Sequence, residues 1–150
     1  IVVVLSSARK SLSSRAGMTQ TRESSPIYDA WVESSEELFA RGRAALEARD
    51  LEALGTAMRE SYLFMFSTMF TSRPPILYWQ PESIAVIREA ESLRTEGVPV
   101  WETMDAGPQV KLLTTHDQVE VVERRVRSAV PGASVLTAAP GGAPEIERDG

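Results

Sequence analysis

The chain has 150 residues, 43% of them hydrophobic and 25% charged, with a net charge of -5; this suits one folded domain with a real core and lacks the basic balance of a nucleic-acid binder. It contains no Cys and a single His, His116, which excludes disulfides, thiolate zinc sites and a multi-His metal centre and makes a reducing cytoplasm the natural setting. No window approaches the roughly 20 apolar residues of a membrane helix, and the opening IVVVL is too short for a signal peptide.

Ile1 to Ser7 is a β-branched run that reads as a buried strand. The chain opens without Met, in what reads as mid-strand, and so is expected to be part of something longer. Ala8 to Ser25 is polar and Ser-rich and reads as a loop. Ser25 as N-cap and Pro26 at the first helical position then start a helix running to about Arg49, with Ile27, Trp31, Leu38 and Leu46 on or near one face. Asp50 caps a second helix whose Leu51, Leu54, Met58, Tyr62, Met65 and Met69 recur at helical spacing. Its second half is apolar nearly all round, which predicts burial on several sides. Pro74 and Pro75 end it.

Gln80-Pro81-Glu82 begins a third helix, carrying Ile84, Ile87, Ala90 and Leu93 and stopping near Gly97. VPVWETM and QVKLLTT read as two strands around the Asp105-Ala106-Gly107-Pro108 break. Thr115 is placed to cap a further helix, PGASVLTAAP supplies a turn and a last strand, and the charged, turn-rich end is expected to fray. The grouping of strands and helices predicts an α+β fold with helices packed on one face of a largely antiparallel sheet.

Two segments could carry chemistry. Asp105 stands on a bend where Ala106 and Gly107 keep the surface low and Pro108 restricts the backbone, an arrangement suited to holding a carboxylate close to a ligand. A tight hairpin in which Asp105 bonds its own backbone explains the same residues. Arg9, Lys10 and Arg15, with Ser11, Ser13, Ser14 and Gly17, form a cationic, hydroxyl-rich strip with no acid between Ile1 and Met18. Such a strip suits a phosphate or diphosphate; a solvated surface loop is the alternative. The Phe64 to Phe70 stripe and Trp31, Trp79 and Trp101 read as packing, and His116, beside a helix start, as a capping or solvent-exposed residue. No GxxxxGK[ST] or GxGxxG loop is present, so a nucleotide's phosphates would be cradled elsewhere.

KSLSSRAGMTQTRESSPIY, PPILYWQ and TMDAGPQVKLL, in that order, resemble the C-terminal half of diphosphomevalonate decarboxylase, a member of the GHMP kinase superfamily. The likeness runs from Ile1 to about Thr114 and rests on the S-S-R-x-G-M loop and the M-D-A-G-P turn. It implies a GHMP kinase C-terminal-like domain over residues 1–150, the substrate-binding lobe of a two-lobed enzyme whose ATP-binding lobe lies outside this chain. The implied reaction is ATP-dependent decarboxylation of mevalonate 5-diphosphate to isopentenyl diphosphate, with Mg2+ accompanying ATP and both held mainly by the other lobe. Alone, the chain is expected to be inactive.

By position, Asp105 matches the family's catalytic aspartate beside the 3-hydroxyl, Ser14 and Arg15 match residues that hold the diphosphate, and Lys10 matches a basic residue near it. Ala106 and Gly107 complete the substrate-side turn. The implied partner is a phosphorylated small molecule, with no nucleic acid, no membrane and a possible homodimer. Gln109 stands where the family usually has Asn, Phe66 where many members have His, and Ser61 where Asn is frequent. A related mevalonate kinase, a phosphomevalonate decarboxylase and a non-enzymatic α+β binding module remain open at this point.

Overall fold

A computed structural model describes residues 1–7 and 12–143. In chain order the elements are β1 (Val2–Val4), α1 (Ser14–Ser24), α2 (Tyr28–Ala48), α3 (Leu51–Phe70), α4 (Pro81–Thr95), β2 (Val100–Thr103), β3 (Val110–Thr114), a single 3-10 turn (His116–Gln118), α5 (Val119–Ala129) and β4 (Ser134–Leu136). The strands form one antiparallel sheet in the order β2-β3-β1-β4. The fold is the expected α+β architecture: α3, α4 and α5 meet the sheet and one another through a single core, and α2 packs outside along α3.

Register decides which strand residues enter that core. Val3 pairs with Val110 and Val135, and Glu102 with Leu112. Directly paired residues point to one face, and Val3, Val110, Leu112 and Val100 are all buried there. The helices answer with matching stripes. In α4, Ser83, Val86, Ile87, Ala90 and Leu93 are buried at helical spacing; in α5, Val122 and Val126. In α3 the stripe is aromatic: Phe66, fully buried, meets Trp79 edge-on at 5.4 Å and Phe70 at 6.0 Å between ring centres.

Termini follow their local chemistry. The Asp50 carboxylate accepts the Ala53 N–H at 2.9 Å, as a helix N-cap does. Pro81 opens α4, and Gly97, at φ +89°, follows its last turn. Gly55 has a packing reason: a Cβ there would lie 2.2 Å from the Trp101 ring, so only glycine lets the indole lie on α3.

Three expectations are corrected. The segment read as a loop contains α1, whose N-cap Ser13 accepts the Ala16 N–H at 3.2 Å. Its buried residues are Gly17 and Thr21, so the helix offers no apolar stripe to read. Helix α2 starts at Tyr28 with Ile27 as N-cap, and Pro26 lies in the preceding turn. Leu46 does not share the packed face of α2: Ala45 is buried there, whereas Leu46 is exposed.

Candidate active site

The Asp105 turn joins β2 to β3 and is held from beneath. Met104 is buried ahead of it. Gly107 has φ +43°, the left-handed region that favours glycine. A Cβ there would come within 3.0 Å of the Tyr78 Cβ, 3.2 Å of the Met104 Cε and 3.3 Å of the Tyr78 carbonyl oxygen. Gly107 is therefore buried and serves the packing of the turn, while Ala106 is half-buried and Asp105 stands outward. The Pro108 carbonyl accepts the Ser83 hydroxyl at 2.8 Å, docking the turn on the first turn of α4.

Gln109 ties this turn to the strand that leads toward α1. Its Oε1 accepts the Leu5 N–H at 2.6 Å and its Nε2 donates to the Ser6 carbonyl at 2.5 Å. The amide side chain thus acts as one more rung between β3 and β1 where their backbones part.

Tyr78 links the same turn to the amino end of α1. Its hydroxyl donates to the Leu12 carbonyl at 3.2 Å, and a Cβ on Gly17 would fall 2.7 Å from that hydroxyl oxygen. One tyrosine therefore touches Gly107 at its base and the start of α1 at its tip. Ser14 and Arg15 are the first two residues of α1 and are exposed. The N–H groups of a first helical turn and its dipole favour an anion. Arg15 borders an open groove of about 600 Å³ with Ser13, Thr19, Gln20 and Arg73. Asp105 does not line that groove, and the described link between the two features is Tyr78. Lys10 lies outside the described residues.

The sequence reading missed Lys111. Its Nζ lies 3.1 Å from Asp105 Oδ2. Partial desolvation pushes the Asp105 pKa up, but the hydrogen bond and charge of Lys111, with the N–H groups of Asp105 and Ala106, outweigh it and hold the carboxyl below the usual range. The signal lay in the hairpin register: Lys111 pairs with Thr103, and strand alternation puts position 105 on the same side as 103.

Also missed was Glu102, a fully buried acid. It accepts from Arg59 Nε at 2.5 Å, Arg94 Nη1 at 2.7 Å and the Tyr62 hydroxyl at 3.1 Å. Burial, followed by the Glu102 charge and hydrogen bond, pushes the Tyr62 phenol far up. Every carboxylate oxygen has a cation, so this cluster is a structural clamp between α3, α4 and β2. Phe66 belongs to the aromatic core and Ser61 is exposed on another side, so these two departures do not share a face of α3. His116 is exposed, as expected. Among the described residues no group of three or more His, Asp or Glu side chains is arranged to hold a metal ion, and no helix is long and apolar enough to cross a membrane.

Known proteins resemble this chain in sequence and in fold. The chain is 35% identical over 85 residues to phosphomevalonate decarboxylase of Haloferax volcanii, covering 56% of this chain and 26% of that protein. It is 32% identical over 125 residues to diphosphomevalonate decarboxylase of Schizosaccharomyces pombe, covering 81% and 32% respectively. The fold superposes on mevalonate pyrophosphate decarboxylase from Streptococcus pyogenes with a TM-score of 0.87 at 29% identity, covering 97% of this chain and 45% of that one. It also superposes on MDDEF in complex with MVAPP, AMPPCP and magnesium, with a TM-score of 0.79 at 30% identity, covering 85% and 39%. The chain thus spans about a third or less of its curated relatives and under half of these structures. Residues 1–147 match the model of the mevalonate 5-diphosphate decarboxylase C-terminal domain, and the chain belongs to that family.

Proposed function

We propose that this chain is the substrate-binding lobe of an ATP-dependent mevalonate 5-diphosphate decarboxylase that forms isopentenyl diphosphate, the ATP-binding lobe being supplied outside residues 1–150. The carrying observation is the single Tyr78 side chain that supports both the Asp105 turn and the amino end of α1. An acid and an anion-favouring helix end are thereby held at a fixed separation, which a substrate with a tertiary hydroxyl at one end and a diphosphate at the other requires.

In this reading Arg15, the Ser14 hydroxyl and the first-turn amides of α1 take the diphosphate, with Lys10 adding charge. Asp105 accepts a hydrogen bond from the 3-hydroxyl and orients its oxygen toward the γ-phosphorus of ATP. The oxygen forms its bond to phosphorus as ADP leaves, and the hydroxyl proton passes to Asp105. Loss of the new phosphate and of carbon dioxide then leaves the carbon–carbon double bond of the product. The lowered pKa of Asp105 makes it a weak base, so its main work is orientation and charge placement in a loose phosphoryl transfer. Magnesium and an ATP analogue accompany MVAPP in the MDDEF complex. Among the described residues no group of three or more His, Asp or Glu side chains is arranged to hold the ion; in this reading the ATP-binding lobe holds most of its ligands.

The test is Asp105→Asn in the intact enzyme. Turnover should fall by about 10²- to 10⁴-fold, the usual range for a positioned acid–base group, with KM changed only a few-fold. Unchanged turnover rejects the reading. The likeness to phosphomevalonate decarboxylase favours a second reading, in which the substrate carries one phosphate. Turnover of the monophosphate in preference to the diphosphate would select it.

A further inference from the structure

Helix α1 is fixed by different means at its two ends. Near its carboxyl end, Ser24 Oγ accepts the Arg73 N–H at 2.8 Å, Gln20 Nε2 donates to the Pro74 carbonyl at 2.6 Å, and the Ser25 and Thr71 hydroxyls share a hydrogen bond of 2.8 Å. These bonds dock that end on the turn after α3. Toward the amino end the closest approach is one atom against one residue. The Tyr78 hydroxyl oxygen lies 2.7 Å from where a Cβ on Gly17 would stand, whereas the next nearest atoms, Ile76 Cδ1 and Leu12 Cδ2, lie at an ordinary 3.7 Å. The Gly17 N–H donates to the Ser13 carbonyl at 2.9 Å, and the Tyr78 hydroxyl donates to the Leu12 carbonyl at 3.2 Å. Whatever moves Gly17 therefore moves the first turn of α1, with Ser14 and Arg15 on it.

Nothing in the helix itself asks for glycine here. Gly17 lies inside α1 without a positive φ, so an alanine would fit the backbone and strengthen the helix. A phenylalanine at position 78 would free the space for its Cβ, since the hydroxyl oxygen is the one atom closer than ordinary contact. The Gly17–Tyr78 pair thus gives up helix stability to seat a hydroxyl against α1. Such a local departure is expected where a site depends on position. We propose that Gly17 and Tyr78 are positioning residues: they form a steric stop that sets how closely the phosphate-binding end of α1 approaches the Asp105 turn. Docked at its carboxyl end, α1 is a lever, and the Tyr78 hydroxyl halts its amino end. The base of the same side chain packs on Gly107, so the stop is referenced directly to the bend that carries Asp105. This inference rests on the function proposed above. A substrate anchored by its phosphoryl groups at Ser14 and Arg15 then presents its hydroxyl to Asp105 in register, and a shift of the anchor misplaces the reacting oxygen.

The test is a double-variant cycle in the intact enzyme, with ATP and whichever of mevalonate 5-diphosphate and its 5-phosphate the parent turns over. Gly17→Ala should lower kcat by about 100-fold with KM changed only a few-fold, because a misplaced substrate loses reaction more than binding. Tyr78→Phe removes the stop and its tether to Leu12 and should lower kcat by about 10-fold, again with KM little changed. The double variant Gly17→Ala/Tyr78→Phe should return to within about 3-fold of Tyr78→Phe, since the atom that met the new Cβ is gone. A merely structural role would lower the urea midpoint of Gly17→Ala and leave its folded fraction at the parent kcat, which overturns the proposal. So does a double variant in which the two losses multiply. If Gly17→Ala does not fold, the other two variants decide: Tyr78→Phe at the parent kcat overturns the proposal, and a double variant that folds and matches Tyr78→Phe supports it. A parent that turns over neither substrate fails the proposed function and this inference together. An active parent with multiplying losses fails this inference alone.

Discussion

Lys111 Nζ stands 3.1 Å from Asp105 Oδ2 across the hairpin that joins β2 and β3, and it is the one ion pair formed by Asp105 among the described residues. Both side chains are well exposed, so the pair adds little to stability. Its effect is on ionisation: it keeps the carboxylate charged at pH values where an ordinary aspartate begins to take up protons. Whatever stability the pair contributes is present above the ordinary carboxylate pKa and is lost as pH falls through the lowered value.

Lys111→Met removes the charge and keeps the length of the side chain. The Asp105 pKa should rise, and the acid limb of the kcat profile should move to higher pH while the plateau near neutrality changes less. A pH–rate series on the intact enzyme reads this directly. An acid limb that stays in place would mean that another group sets it.

Gly107→Ala forces a Cβ into the left-handed region and into the space held by Tyr78 and Met104. The expected cost is about 1–3 kcal/mol, seen as a lower urea midpoint at constant slope. Turnover should drop too, because the bend that presents Asp105 has moved. Gly42→Ala is the control: its Cβ enters open space on a regular helix, so the protein should be no less stable.

Glu102→Gln leaves Arg59 and Arg94 without their shared carboxylate in a buried position. Removing one partner of such a cluster costs about 3–5 kcal/mol. Urea unfolding of the intact protein should show a loss of that size. Activity of the fraction that remains folded should be near normal, since Glu102 points into the core whereas Asp105 stands outward.

Gln109→Ala removes the rungs to Leu5 and Ser6. Each hydrogen bond contributes about 1 kcal/mol. The informative readout is kinetic: KM for the phosphorylated substrate should rise more than kcat falls, because the strand released is the one leading toward α1. Equal loss in both would place Gln109 on the reacting end instead.

Much of this architecture was legible in the letters because the signals were local. Asp50, Pro81 and Gly97 mark helix ends by chemistry within one turn of chain, and the stripe through Tyr62, Phe66 and Met69 has an unambiguous period. Helix α1 was illegible because its buried positions, Gly17 and Thr21, carry almost no hydrophobic contrast; it packs by closeness to Tyr78 instead. Leu46 misled because an apolar letter one place past the buried Ala45 already lies off the face that packs on α3. In the candidate site, Asp105, Ser14 and Arg15 were visible through their motifs. Lys111 and Tyr78 required pairing register and tertiary contact, which spacing alone does not carry. Glu102 in VWETM reads as a wet strand residue until Arg59 and Arg94, far from one another in sequence, are brought over it.

The side-chain rung formed by Gln109 has a mechanical corollary. A backbone pair at that point would have continued the ladder between β1 and β3, whereas the Gln109 amide ties them through a side chain that substitution can shorten or remove. The exit path of the first strand is therefore tuned by one replaceable residue, and variation there could reset the gap between the acidic bend and the phosphate end without rebuilding either.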